Sequence, residues 1–113
     1  MIVEYIEKVM SMIAKSGAAR SQAMEAIMVA KQKNYTAAAE LLDNATLDLK
    51  GAHKIQTQLI QEEAGGAKHE ITLLMIHAQD HLMNAMTVKD LAREIIELHE
   101  LTHLHQIGKG MTS

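Results

Sequence analysis

Three residues with chemical potential lie close together in the chain: His77, Asp80 and His81. Residues three or four apart share one face of a helix, so we expect these side chains to form one patch. A neutral imidazole there could act as a nucleophile that accepts a phosphoryl group. The His-x-x-Asp-His spacing could instead supply ligands for a divalent metal. A third interpretation is a polar layer that fixes the register of an oligomer. Spacing alone leaves all three open.

A second motif, HELTH at 99–103, matches the His-Glu-x-x-His pattern of zinc proteases, in which Glu100 would act as the general base. We discount a catalytic zinc site because the chain offers neither a third ligand on another element nor a strand to align a substrate. Weak zinc or nickel binding by His99, His103 and His105 is the more economical interpretation. A di-iron carboxylate site also fails, because it needs two Glu-x-x-His motifs and the chain has one.

The composition indicates a single helical domain. The chain has 113 residues, of which 48% are hydrophobic, with nine Met, two Tyr and no Phe, Trp or Pro. Six Gly and no Pro are too few for the turns of an all-β sandwich. The absence of Cys excludes a disulfide framework, a thiolate metal site and a cysteine nucleophile.

The charge pattern argues against nucleic acid and membrane partners. Fourteen acidic and 11 basic residues give a formal charge of −3, without a basic cluster. The apolar runs are much shorter than the roughly 20 residues of a membrane span. Glu4 and Glu7 lie where a signal peptide would be basic, so we expect an unprocessed, cytoplasmic protein with no membrane insertion.

Apolar residues at spacings of three and four predict helices over about 2–30, 35–64 and 69–105, followed by a frayed tail at 106–113. Asn34 is a plausible N-cap for the second helix, and Gly65-Gly66 a plausible terminator. The short connections favour an all-α, antiparallel up-down-up three-helix bundle. Gly51 should cost the second helix about 1 kcal/mol unless a neighbouring backbone approaches closely.

The third predicted helix is apolar on more than one side. One side can pack on the other two helices, but no remaining segment can cover the second side, which indicates self-association. The alternative is that a three-helix core tolerates a wide apolar stripe. One seam of this helix has polar residues between apolar ends. Its members are Leu73, His77, Asp80, Asn84, Thr87, Leu91, Ile95 and Leu98.

The segment IHAQDHLMNAM at 76–86 resembles the phosphorylation-site motif of one family, the IIA subunits of the lactose/cellobiose (N,N′-diacetylchitobiose) branch of the bacterial sugar phosphotransferase system. Four further segments agree with that family in order and cover most of the chain. They are SGAARSQAMEAI at 16–27, NYTAAAELL at 34–42, AHKIQTQLI at 52–60 and LAREIIELHE at 91–100.

The resemblance implies a phosphocarrier for the uptake of β-glucosides or disaccharides. His77 matches the histidine that accepts a phosphoryl group from the phosphocarrier protein HPr. A cysteine of the cognate IIB component, which works with a membrane IIC permease, would then receive the group. His81 matches a neighbour in the motif and would have a supporting role. Lys33 departs from the family, which commonly has glycine before the second helix.

The resemblance also implies a parallel homotrimer of three-helix protomers, a nine-helix bundle. Asp80 matches the aspartate whose three copies face one another on the threefold axis and bind a metal. Three carboxylates near one axis repel one another, and a hard cation with oxygen ligands, most simply Mg²⁺, would offset that repulsion. We therefore expect one metal ion per trimer.

Overall fold

Three helices follow one another in the computed structural model, which describes the backbone of residues 2–112 and the side chains of residues 2–109. Helix α1 spans Ile2–Lys31, α2 spans Tyr35–Ala64 and α3 spans Leu73–Thr112. No strand occurs within this described part of the chain. The all-α class is therefore confirmed, and α1 and α2 lie within a residue of their predicted bounds.

Side-chain contacts between the helices fix their directions. Near the start of α1, Lys8 Nζ lies 3.1 Å from Glu62 Oε1, close to the end of α2. The amide of Gln56 in α2 donates to that of Gln79 in α3. Helices α1 and α2, and likewise α2 and α3, are thus antiparallel, as the up-down-up prediction requires. The bundle is elongated, with extents of 68 × 20 × 20 Å.

Local capping explains the ends of α1 and α2. The side chain of Asn34 accepts a hydrogen bond from the Ala37 N–H at 3.2 Å, which confirms the predicted N-cap. Just before it, Lys33 has φ 66°, in the left-handed region that a residue with a Cβ rarely adopts. After α2, Gly66 takes φ 102°, and the double glycine ends the helix as predicted.

The start of α3 differs from the prediction, since the helix begins at Leu73 and not at about residue 69. The Thr72 hydroxyl oxygen accepts a hydrogen bond from the Met75 N–H at 3.1 Å and caps the helix. The preceding residues are held outside the helix by contacts with α1. The His69 ring stacks on the Tyr5 ring, with 4.6 Å between the ring centroids. The Tyr5 hydroxyl donates a hydrogen bond to the Glu70 carbonyl oxygen at 3.1 Å.

The end of α3 also differs, because the helix passes residue 105 and continues to Thr112. The predicted frayed tail is thus helical over 106–112, and Ser113 lies outside the described residues. Gly108 weakens a helix by about 1 kcal/mol but does not break it as proline would. None of the described helices combines the length and apolar character that crossing a membrane requires.

Small residues fill most of the core. The largest fully buried side chains are Met12 and Leu82, while alanines of all three helices occupy most other core positions. The buried alanines are Ala19, Ala23, Ala26, Ala30, Ala38, Ala45, Ala52, Ala78, Ala85 and Ala92. This composition explains how the chain forms a core without Phe or Trp: small residues allow helix backbones to approach closely.

Two glycines within the helices face side chains of neighbouring helices. A Cβ at Gly51 would lie 3.1 Å from the Lys15 Cδ atom, so a flexible side chain and not a backbone approaches this position. A Cβ at Gly17 would lie 3.2 Å from the His81 Nε2 atom. Each glycine costs its helix about 1 kcal/mol relative to alanine.

Candidate functional site

His77 and His81 form a stacked pair on the surface of α3. Their ring centroids lie 5.5 Å apart and their planes differ by 13°. The His77 side chain is exposed, whereas His81 is half-buried between α3 and α1. The helical spacing thus brings the two rings together as predicted. An exposed imidazole is accessible to an incoming electrophile, which one of its ring nitrogens could attack.

Asp80 projects to solvent on the same helix. The Asn84 amide donates to Asp80 Oδ2 at 3.4 Å, and both residues are exposed. The neighbouring Gln79 instead points toward α2, where its side-chain oxygen accepts from Gln56. The motif is therefore divided: Gln79 helps to join two helices, while His77 and Asp80 remain exposed to solvent.

The predicted polar seam is exposed along its whole length in the single chain. Its apolar members are far from covered, with exposed fractions of 82% for Leu73, 56% for Leu91, 47% for Ile95 and 64% for Leu98. Ile76 and Met83 extend this surface and are each 54% exposed. We call the surface of these six apolar residues with Asp80, Asn84 and Thr87 the open face of α3. Neither α1 nor α2 covers it, as the sequence pattern predicted.

The described side chains of one chain do not assemble a three-ligand metal site. Within the described residues, no group of three His, Cys, Asp or Glu side chains is placed to hold a metal ion. The three-ligand interpretation of His77, Asp80 and His81 is therefore wrong for a single chain. An isolated Asp80 carboxylate offers hard oxygen ligands of the kind that Mg²⁺ prefers, but further ligands would have to come from other copies.

The HELTH segment has a different environment from the one a zinc protease needs. The His99 Nδ1 atom and the Tyr35 hydroxyl share a hydrogen bond of 2.9 Å. The His103 ring lies 6.0 Å from the Tyr35 ring, at an interplanar angle of 41°. The two histidines therefore pack around a tyrosine at the start of α2. In the part of the chain with described side chains, no third ligand completes a metal site here.

Sequence reasoning missed two residues that shape the site, Gly17 and Gln56. Gly17 leaves the space that the His81 ring occupies, and Gln56 binds Gln79 across the α2–α3 contact. Gly17 had one available signal, since a glycine in the middle of a helical pattern needs a packing reason. Gln56 had none, because in the sequence a half-buried glutamine looks like any polar residue beside the buried face of a helix.

The family model "PTS system, Lactose/Cellobiose specific IIA subunit" matches residues 7–100 of the chain. The chain is 58% identical over 92 residues to the lichenan-specific phosphotransferase enzyme IIA component of Bacillus subtilis (strain 168). That alignment covers 81% of this chain and 84% of the relative. Similarity therefore extends over about four fifths of both proteins.

Solved structures agree with the fold. The crystal structure of the cellobiose-specific enzyme IIA from Bacillus anthracis has a TM-score of 0.85 and 49% identity, covering 87% of this chain and 90% of that one. The solution structure of the Escherichia coli IIA(Chitobiose)–HPr complex contains a chain with a TM-score of 0.75 and 43% identity. The match covers 86% of this chain and 94% of that one.

Proposed function

Because the chain belongs to the lactose/cellobiose-specific IIA subunits of the phosphotransferase system, we propose that it carries a phosphoryl group on His77 during sugar uptake. The observation that carries this proposal is the exposed His77 imidazole, stacked on His81 within the segment that resembles the family's phosphorylation motif. HPr is the proposed donor, and its complex with the E. coli chitobiose relative supports that choice. The proposed acceptor is a cysteine of a IIB component that works with a IIC permease. The relay would operate in the cytoplasm.

The transfer needs little chemistry from the protein. A lone pair on one His77 ring nitrogen attacks the phosphorus of the donor's phosphohistidine. A new N–P bond forms, and the electron pair of the broken N–P bond returns to the donor nitrogen. In the second step the thiolate of the acceptor attacks the same phosphorus, and the N–P electron pair returns to His77. Such transfers depend on positioning and on access for two successive partners, which an exposed side chain provides.

The open face of α3 supports the proposed parallel homotrimer. Six large apolar side chains on one face of one helix form a surface that usually marks an interaction site. The polar residues within it, Asp80, Asn84 and Thr87, resemble the polar layers that set register in helical oligomers. His77 lies at the edge of this face, so a second copy would form one wall of its surroundings.

We further propose that the three Asp80 carboxylates of the trimer share one divalent cation, most simply Mg²⁺. The donor set fits, since Asp80 is exposed on the open face and offers hard oxygen ligands. The cation would neutralise like charges that otherwise oppose assembly. It would also reduce the repulsion between Asp80 and a phosphorylated His77, which adds about two negative charges.

No sugar enters this proposal directly, because a IIA carrier exchanges a phosphoryl group with proteins. The three relatives compared above are named for lichenan, cellobiose and chitobiose, yet all three are similar in sequence to this chain, and the latter two are also similar in fold. Recognition of the IIB partner would therefore decide which uptake system the chain serves.

Intact-mass measurement after incubation with phosphoenolpyruvate, enzyme I and HPr tests the proposal. We expect a gain of about 80 Da, the mass of one phosphoryl group. His77→Ala should abolish the gain, and His53→Ala, an exposed histidine on α2, should preserve it. An unmodified wild-type chain, or an undiminished gain in His77→Ala, would leave the competing interpretation, a trimeric helical scaffold without a carrier role. Glu100→Gln should not change the result, because HELTH has no part in the transfer.

A further inference from the structure

Gly17 has a structural role that its backbone conformation does not explain. It lies in the middle of α1, and its φ is not positive, so an L-residue could adopt the same backbone. The restriction is spatial, because a Cβ built on Gly17 would lie 3.2 Å from His81 Nε2. That distance is shorter than ordinary van der Waals contact, so the ring would have to move by a few tenths of an ångström.

We propose that Gly17 is a positioning residue for phosphoryl transfer: it leaves the space that places the His81 ring parallel to the nucleophilic ring of His77. This inference rests on the function proposed for His77. The proposal extends the site from the motif on α3 to α1, where Gly17 contributes space and not a reactive group.

The surroundings of His81 limit how it could respond to a larger residue at position 17. Ala78, Leu82 and Ala85 of α3 are fully buried. Because a protein core is close-packed, the buried side of α3 leaves little room for the ring to move inward. A ring displaced from α1 must therefore change its position relative to His77, whose centroid is 5.5 Å away. The stack restricts the orientations of the exposed His77 side chain, and a reacting atom must be held close to its attack geometry.

Gly17→Ala is the test variant, and Gly51→Ala is its matched control. Both variants replace a half-buried glycine within a helix. The added Cβ would lie 3.2 Å from His81 Nε2 at position 17 and 3.1 Å from Lys15 Cδ at position 51. The side chain near Gly51 is that of Lys15, which is flexible. Among the described side chains, the structure shows no hydrogen bond, ion pair or ring contact between Lys15 and either His77 or His81. Both substitutions favour the helix equally, so a difference between them reports on the site.

The first measurement does not depend on phosphorylation. In NMR spectra of the unphosphorylated protein, Gly17→Ala should shift the imidazole carbon-bound proton resonances of both His77 and His81, because stacked rings shift each other's signals. Gly51→Ala should leave both sets in place. If the two variants gave the same histidine spectra, Gly17 would have no positioning role, whatever the outcome for phosphorylation.

The second measurement is the maximal rate of phosphorylation by phospho-HPr. We expect a roughly three- to tenfold fall in Gly17→Ala, since misplacement by about 1 Å can cost 10²-fold and the expected displacement is smaller. The HPr concentration at half-maximal rate should stay within about twofold, because the docking surface is unchanged. An unphosphorylated wild-type protein would refute the proposed function alone, whereas equal rates in Gly17→Ala and Gly51→Ala would refute the positioning role.

A double variant separates positioning from folding. In a His81→Ala background the clash is absent, so adding Gly17→Ala should change the rate less than twofold. This comparison remains available if Gly17→Ala alone folds poorly, since removal of the ring restores the space. A three- to tenfold further loss on adding Gly17→Ala to His81→Ala would show that Gly17 does not act through His81 and would overturn the proposal.

Discussion

Replacement of Leu91 by aspartate should disrupt the proposed trimer without disturbing the core of the chain. Leu91 is 56% exposed and lies on the open face of α3. Complete burial of a leucine side chain is worth about 1.5–3 kcal/mol, so covering the exposed half is worth about 1 kcal/mol per chain. Three copies contribute about 3 kcal/mol, which corresponds to roughly a hundredfold in the association constant. The unpaired charges that Leu91→Asp introduces would add to this loss.

Sedimentation velocity over a range of protein concentrations measures the effect. The wild-type protein should sediment with about three times the chain mass of 12.5 kDa. Because the midpoint concentration of a trimer varies with the inverse square root of its association constant, Leu91→Asp should require at least a roughly tenfold higher concentration to assemble. Leu47→Asp is the matched control, since Leu47 is 66% exposed on α2, away from the open face. A wild-type protein that is monomeric at every concentration would refute the trimer. Trimers of equal stability in both variants would refute the choice of face.

Three further perturbations test other parts of the structure. Asp80→Leu should retain the trimer and make it insensitive to EDTA, because the charges that need a cation are gone; an EDTA-sensitive Asp80→Leu trimer would contradict this. Lys33→Gly should raise the free energy of unfolding in urea by about 1 kcal/mol by relieving the left-handed conformation; unchanged or lower stability would contradict the strain argument. Hydrogen bonds from Lys8 and His69 lower the pKa of Glu62 below its ordinary value of 4.5. Their stabilising contribution should be complete above pH 4.5 and be lost as the pH falls through the lowered pKa, so urea unfolding of Glu62→Gln should depend less on pH there.

Local signals predicted the parts of the fold that local contacts determine. Asn34 caps α2 through a hydrogen bond to a residue three positions away, and Gly66 ends α2 through its own backbone conformation. The start of α3 was misplaced because its cause is not local. Tyr5 lies 65 residues before Glu70, and no pattern within 67–72 reveals that these residues are bonded to α1.

The same distinction separates the two halves of the site. The placement of His77 beside His81 follows from a spacing of four along one helix, so the sequence was sufficient to predict that they share one face; the structure adds that their rings stack. The contact between Gly17 and His81 depends on the relative placement of α1 and α3. Helical periodicity predicts which face of a helix is buried, but not which residue of a parallel neighbour lies at the same level.

The distribution of large and small apolar residues links the core to assembly. Small side chains let α1 approach α3 closely, and this closeness brings Gly17 within contact distance of His81. A core made of alanines buries little apolar area per residue, so it contributes less to stability than one made of leucines would. The chain instead places leucine, isoleucine and methionine on the open face of α3. If other copies cover that face, trimer formation buries the large apolar side chains that the core lacks, and it supplies much of the hydrophobic stabilisation of the protein. Dilution should then lower the temperature of unfolding, and an unfolding temperature independent of concentration would contradict this coupling.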